Sequence, residues 1–382
     1  MGLKNETKSF YREYVSGMSS QQLGKELHAD SDRLKKLYKD AIREQNPKVS
    51  EDEIPAFQKF LSVLGALTKR LNPVRRLVFG ISLVLFISYY FFSFIGLAGV
   101  FYHPILLPVS FVAMLVILMI ELLEKSDVQQ ELNFARDIQL SLLPASSIKR
   151  DSIESYSFAA TAQEVGGDYV DVINTDKGTY VIIADVSGKG MSAALYMVRI
   201  QALVHLLINK LHPSPKELFL ELNEYIKSNK SDKTFVTACA AFFPIGENHF
   251  SFARAGHNQP IFYSRKMDST FQLKTDGFAL GMTSTKILKK KMVEKKFQFE
   301  KGDSILFYTD GLTEARNDKG EEYGIDRLDG LLSIYGSLHS KTISQKIQSS
   351  IESFMGDEKP LDDITFTTVH KIEPIRKVAG SE

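Results

Sequence analysis

The apolar positions of this chain fall into three regimes. From Leu77 to Ile120 there is no Lys, Arg, Asp or Glu. About 20 apolar residues cross a bilayer once, so this run of roughly 44 is long enough for two passes. Gly96, Gly99, His103, Pro104 and Pro108 punctuate its middle, as a tight turn between two helices would. The pattern predicts a helical hairpin in a membrane over residues 74–120. Before it, residues 1–73 are polar, with Leu23, Leu27, Leu34, Leu37, Tyr38 and Ile42 recurring at helical spacing. This reads as a helical cytosolic region with no visible chemistry. It has no apolar h-region, so no cleavable signal peptide is expected.

Behind the hairpin, residues 121–144 predict a linker helix. Val128, Leu132, Ala135 and Leu142 form a seam of four-three spacing, with Gln139 as its polar member. That seam fits either a short parallel coiled coil, and hence a homodimer, or an amphipathic helix packed on its own domain. Pro144 ends the helix by disfavouring the helical conformation in the residue before it.

The third regime, residues 145–372, alternates short β-branched and aromatic runs with Gly, Asn and Asp clusters. The runs are Tyr180 to Ile183, Val236 to Phe243, Phe250 to Ala253, Ser304 to Tyr308 and Ile364 to Val369. Helical patterns interrupt at Ser192 to Lys210, Pro215 to Ser228 and Ser344 to Phe354. Strands with helices inserted between them predict an α+β domain with antiparallel sheets. Residues 373–382 are left as a tail.

Charge orients the chain and narrows its function. Lys69, Arg70, Arg75 and Arg76 precede the first span, and cationic flanks stay on the cytoplasmic side. Two passes return the chain to that side, so both large soluble parts are expected in the cytosol and the protein in the inner membrane. A net charge of +1 carries no basic excess for a nucleic-acid partner. The one cysteine, Cys239, excludes an intramolecular disulfide and reads as a small buried residue in an apolar run. The spans hold no Asp, Glu, Lys or Arg to line a transport pathway.

Candidate chemistry lies in the aspartates that end strands beside glycine. They are Asp168 in Gly166-Gly167-Asp168-Tyr169, Asp185 in Asp185-Val186-Ser187-Gly188-Lys189-Gly190, and Asp310 in Thr309-Asp310-Gly311, with the Asp362-Asp363 pair before Ile364. Converging carboxylates repel unless cations neutralise them, and hard divalent cations take oxygen ligands. Lys189, between two glycines, reads either as a phosphate contact or as a solvent-facing side chain. His257 in Gly256-His257-Asn258 reads as ordering backbone rather than as a general acid. Arg254 and Arg316 read as surface ion pairs. Ser187 lacks the turn chemistry and triad partner of a nucleophile.

Six segments in order resemble the bacterial SpoIIE/RsbU-like branch of the type 2C (PPM) protein phosphatases, from about Asn133 to His370. They are Ala135-Arg136-Asp137-Ile138-Gln139 with its Leu142-Leu143-Pro144 ending, Val165 to Tyr169, Asp185 to Gly190, Ala255 to Asn258, Tyr308 to Ala315, and Asp362 to Thr365. The resemblance implies a PP2C-like β-sandwich of two antiparallel sheets flanked by helices. It also implies two divalent cations, Mn²⁺ or Mg²⁺, held by Asp168, Asp185, the Val186 carbonyl, Asp310 and one or both of Asp362 and Asp363. Asp362 is favoured there as the direct ligand. The implied reaction is metal-assisted hydrolysis of phosphoserine or phosphothreonine on a regulatory protein of the anti-sigma-factor-antagonist type. A phosphatase-fold scaffold without catalysis is the alternative.

Overall fold

The computed structural model describes residues 71–94, 106–228 and 234–374, with isolated positions between 55 and 69. The helical reading of residues 1–73 therefore falls almost wholly outside the described residues, as do the hairpin turn at 95–105 and most of the tail. The described chain divides into two compact units at Asp127/Val128.

The first unit holds helix α1 (Pro73–Phe94) and most of α2 (Leu106–Ser141). At 1.5 Å per residue, the 22 residues of α1 span about 33 Å, enough for a hydrocarbon core of about 30 Å. Its side chains are mostly exposed and apolar, Leu77, Ile81, Val84, Ile87 and Phe91 among them. Arg75 at the start of α1 bonds Glu121 at 2.9 Å and also pairs with Glu124, both on α2. The base of the first helix thus lies beside the point where the apolar run of the second gives way to charge, as in an antiparallel hairpin.

Among the described residues a third helix, α3 (Met191–Leu211), is also long and apolar enough to cross a membrane. Its apolar character has another use. Met197, Ile200, Val204 and Ile208 are buried against the sheet of the second unit, and its Lys210 and exposed Leu211 end it at the surface.

The second unit is a four-layer sandwich, helices on sheet on sheet on helices. One sheet runs in the order β1 (Ser147–Arg150), β2 (Ile153–Ala160), β11 (Ile364–Lys371), β10 (Ser304–Tyr308), β7 (Ile261–Ser264), β8 (Ser269–Gln272). The other runs β3 (Asp168–Asn174), β4 (Gly178–Val186), β5 (Val236–Pro244), β6 (His249–Ala255), β9 (Lys295–Gln298). Every ladder within them is antiparallel. This is the expected sandwich of two antiparallel sheets flanked by helices.

Strand alternation builds the layers. In β4, Tyr180, Ile182, Ala184 and Val186 face α3 and α4 (Pro215–Ser228), while Val181 and Ile183 face the opposite sheet. A strand covered on both sides reads as a continuous apolar run because each face needs its own hydrophobes. The inter-sheet layer is aromatic: Phe243, Phe250, Phe262 and Phe299 pack with ring centroids 5.0–6.3 Å apart. Each such buried ring contributes about 1.5–3 kcal/mol over its exposed state.

Three further helices cap the unit: α5 (Thr285–Lys291), α7 (Ile325–Tyr335) and α8 (Ser340–Met355). A single turn, α6 (Asp310–Thr313), follows β10. In α8, Ile343, Ile347, Ile351 and Met355 repeat every fourth residue and bury against the first sheet.

The linker helix is the end of α2. It is continuous with the second apolar run and stops at Ser141. On the part within the second unit, Gln139 is buried while Val128, Phe134 and Ile138 are exposed. The seam predicted for pairing is therefore partly spent on the helix's own domain.

Candidate active site

Topology delivers the aspartates to one end of the sandwich. Asp168 opens β3 and Asp185 lies one residue from the end of β4, directly opposite it in the ladder. From the other sheet, Asp310 follows the β10 end, and Asp362-Asp363 precede β11, which pairs with β10. Thr309 ties the sheets together here, since its hydroxyl donates to Asp168 Oδ2 at 2.8 Å while its amide donates to the Thr365 carbonyl at 2.9 Å. Thr309 has no role in the aspartate pattern itself. Its signal was a hydroxyl immediately before the Asp310-Gly311 turn.

The environments of the two neighbouring aspartates separate their roles. Asp363 is 8% exposed, and its carboxylate accepts from the Ala162 amide at 2.9 Å and the Gly167 amide at 2.8 Å. It anchors the 162–167 loop. Asp362 is more open and meets the Lys189 ammonium at 2.6 Å. Asp362, Asp185 and Lys189 line the same cleft, with Gly188, Gly190 and Gly167.

The electrostatics of this end are strained. Burial, then the fields of Asp310, Asp362 and Asp363, push the Asp185 carboxyl up to about 7. Burial first, and the neighbouring Asp185 and Asp363 charges in part, raise Asp168 well above the ordinary carboxylate range, against the pull of its hydroxyl hydrogen bonds. Burial and Asp362 raise Asp310. Among the described residues no three His, Cys, Asp or Glu side chains converge tightly enough to hold a metal ion in this arrangement. Asp363 is committed to amides, Asp362 to Lys189 and Asp168 to Thr309. The donor set is nonetheless all oxygen and short of positive charge, which fits hard divalent cations that keep part of their water shell.

The other conspicuous residues serve the frame. His257 is buried, bonds Thr237 Oγ1 through Nδ1 at 2.8 Å, and is pushed down to about 4 by burial. It is neutral at physiological pH and braces the strand whose Thr237 pairs with Asp185. Arg254 grips the Thr275 and His257 carbonyls, not a surface carboxylate as the sequence implied. Arg316 does pair at the surface, with Glu322 at 2.8 Å. Ser187 accepts from the Phe235 amide at 2.9 Å. Burial raises the Cys239 thiol and removes it as a nucleophile.

Gln139 does more than its place on the helix seam implied. Its side-chain amide donates to the Gly166 carbonyl at 2.7 Å and accepts from the Gly166 N–H at 3.1 Å. One helix residue thus fixes the backbone next to Gly167 and Asp168. Gln139→Leu should leave both Gly166 groups unpaired, each costing about 1–3 kcal/mol. The expected results are a lower melting temperature and several-fold weaker Mn²⁺ binding by calorimetry. Unchanged values for both would remove Gln139 from the site's support.

A family model described as Stage II sporulation protein E (SpoIIE) matches residues 175–371. Asp185, Asp310, Asp362 and Asp363 lie inside that span, and Asp168 just before it. Among curated proteins, the chain is 28% identical over 197 residues to the phosphoserine phosphatase RsbU of Bacillus subtilis, covering 51% of this chain and 57% of that protein. It is 24% identical over 269 residues to protein IcfG of Synechocystis, covering 63% of this chain and 41% of the relative. The chain thus spans about half the length of these relatives.

Among solved structures, the SiaA-PP2C domain of Pseudomonas aeruginosa superposes with a TM-score of 0.55 at 17% identity, covering 65% of this chain and 99% of that domain. The RsbU and RsbW domains of Rv1364c from Mycobacterium tuberculosis give 0.50 at 21% identity, covering 61% and 64%. These likenesses show the fold.

Proposed function

Because this chain belongs to the SpoIIE family, we propose that it is a membrane-anchored, metal-dependent phosphatase acting on phosphoserine or phosphothreonine of a regulatory protein. The observation that carries this reading is the convergence of Asp168, Asp185, Asp310 and Asp362 from both sheets onto one end, with Asp185 raised to about 7. A fold does not keep such repulsion without a use for it, and cation binding is the chemistry that relieves it.

Asp168, Asp185, Asp310, Asp362 and the Val186 carbonyl would hold two divalent cations, Mn²⁺ or Mg²⁺. When bound, the ions would supply an activated water and charge stabilisation for in-line attack on phosphorus. The chain's own residues set the stage. Asp363 and Gln139 hold the 162–168 loop, Thr309 orients Asp168, and neutral His257 stiffens the backbone behind Asp185. No phosphoenzyme is needed in this scheme.

The substrate class follows the RsbU-like relatives. A phosphorylated regulatory protein of the anti-sigma-factor-antagonist type is the proposed partner. Helices α1 and α2 would form the membrane hairpin, with both soluble parts in the cytosol. A homodimer would use the exposed apolar residues Val128, Phe134 and Ile138 on the linker. The scaffold reading draws on Lys189 neutralising Asp362, which a binding protein could retain indefinitely.

The test is phosphate release from phosphoserine and phosphothreonine peptides by the full chain in detergent, with Mn²⁺, with Mg²⁺ and with chelator. Metal-dependent release supports the enzyme. Absence of release at every metal concentration, together with no bound ion by calorimetry, favours the scaffold.

A further inference from the structure

Metal-held carboxylates give a phosphatase nothing cationic of its own with which to orient the phosphoryl group. Arg254 is spent on carbonyls and Arg316 on Glu322. Lys189 is the one basic side chain among the described residues that line the cleft. It sits in the turn between β4 and α3, flanked by Gly188 at φ 107° and Gly190 at φ 72°, a left-handed backbone that side chains rarely adopt. The two glycines let the chain reverse so sharply that residue 189 projects over the cleft rather than into the core.

Among the described residues its ammonium donates to two acceptors, Asp362 Oδ2 at 2.6 Å and the Leu361 carbonyl at 3.0 Å, and its side chain remains 53% exposed. It is therefore paired with Asp362 at the edge of the cleft while about half of its side chain stays open to solvent.

We propose that Lys189 is the phosphoryl-binding residue of this site, stored on Asp362 and transferred to the phosphoryl oxygens of the substrate when Asp362 takes a cation. The inference rests on the phosphatase reading and deepens it by naming the grip on the substrate. Two consequences follow from one side chain. The ammonium competes with divalent cations for Asp362 in the resting protein, and it supplies a charge-assisted hydrogen bond to the phosphoryl group in the loaded one. A lysine suits this double duty better than an arginine fork, because its compact charge on a flexible stem can leave one oxygen for another.

The experiment uses the full chain in detergent with saturating Mg²⁺, inorganic phosphate as the calorimetric probe, and Lys189→Ala and Lys189→Arg beside the wild type. Lys189→Ala should weaken phosphate binding about tenfold or more and raise KM for a phosphothreonine peptide. Its Mg²⁺ affinity should be equal to or tighter than that of the wild type. Lys189→Arg should recover most of the phosphate affinity. Phosphate binding within twofold of wild type in Lys189→Ala, with wild-type turnover intact, would overturn the proposal alone. A wild-type protein that takes up neither Mg²⁺ nor phosphate would overturn both this proposal and the phosphatase reading. Weaker Mg²⁺ binding in Lys189→Ala would also overturn it, by showing that the lysine supports the cluster instead of competing for it.

Discussion

Asp185→Asn should reduce metal-dependent phosphate release by at least about 1000-fold while leaving the protein folded. Asp185 pairs with Asp168 across one ladder and with Thr237 across the next, and it lines the cleft with Asp362. Asparagine keeps the shape but removes the charge that a cation would need. The substitution also carries a signature independent of activity. The Asp185 carboxyl is raised from 3.8 to about 7, so between those values the folded protein holds a proton that the unfolded chain has released. Metal-free wild-type stability should therefore fall as pH rises through that window. Asp185→Asn should flatten this slope and melt higher than wild type at pH 8 in chelator. Saturating Mn²⁺ should reverse the order, since a ligand at 1000 times its Kd adds about 4 kcal/mol to the form that binds it. Melting curves at pH 5 and pH 8, with chelator and with Mn²⁺, check all four corners. A variant that melts below wild type in chelator would mean that the carboxylate is stabilising, not strained.

Gly311→Ala should be the most disruptive one-methyl change near the site. A Cβ at residue 311 would stand 2.1 Å from the Asp363 carbonyl oxygen and 2.9 Å from its carbon. Both obstacles are backbone, pinned by β11 and by the amides that Asp363 holds. The turn bearing Asp310 must then retreat from the segment bearing Asp362, which separates carboxylates drawn from adjacent strands. The cost of such overpacking is about 3 kcal/mol. For a domain of this size that lowers the melting temperature by about 6–12 °C. Gly330→Ala is the matched control, because nothing lies within 4 Å of its Cβ and it sits inside α7. There the change should be neutral or slightly stabilising. A Gly311→Ala melting temperature within a degree or two of the control would contradict the close packing of the two segments.

The parts of the fold that were legible in the sequence are those buried on both faces. β4, β5 and β10 read as largely apolar runs, and the predicted Ser304 to Tyr308 is the observed strand. β2 was not read as a strand, and β3 was read only at its Asp168 end. β2, Ile-Glu-Ser-Tyr-Ser-Phe-Ala-Ala, mixes polar residues into both faces, and buried Glu154 is satisfied by His339 and the Ser340 amide, partners far along the chain. β3 carries Asp168 and Asp171 in what is otherwise a strand pattern, and Asp171 is buried against Tyr169 and His205. Tertiary partners made these carboxylates affordable, and no local pattern announces them. α7 escaped for a different reason: two buried leucines, Leu328 and Leu332, are too few to make a period.

The site was legible as a set of aspartates because each combined a strand end with glycine. How they divide their work was not. Asp362 and Asp363 are adjacent and chemically identical, and distant partners tell them apart: the amides of Ala162 and Gly167 on Asp363 and the Lys189 ammonium on Asp362. Gln139 was visible as the odd residue on an apolar seam. Its two bonds to Gly166 required the loop to be in place. Lys189 had an even choice between solvent and phosphate, and its seat on Asp362 is a contact across 173 residues.

The most direct measurement is a calorimetric titration of Mn²⁺ into the full chain in detergent, beside Asp185→Asn. Two ions should bind per wild-type chain, with at least one lost in the variant. Wild-type protein that binds no Mn²⁺, or a variant that binds as many ions as wild type with the same affinity, would contradict it.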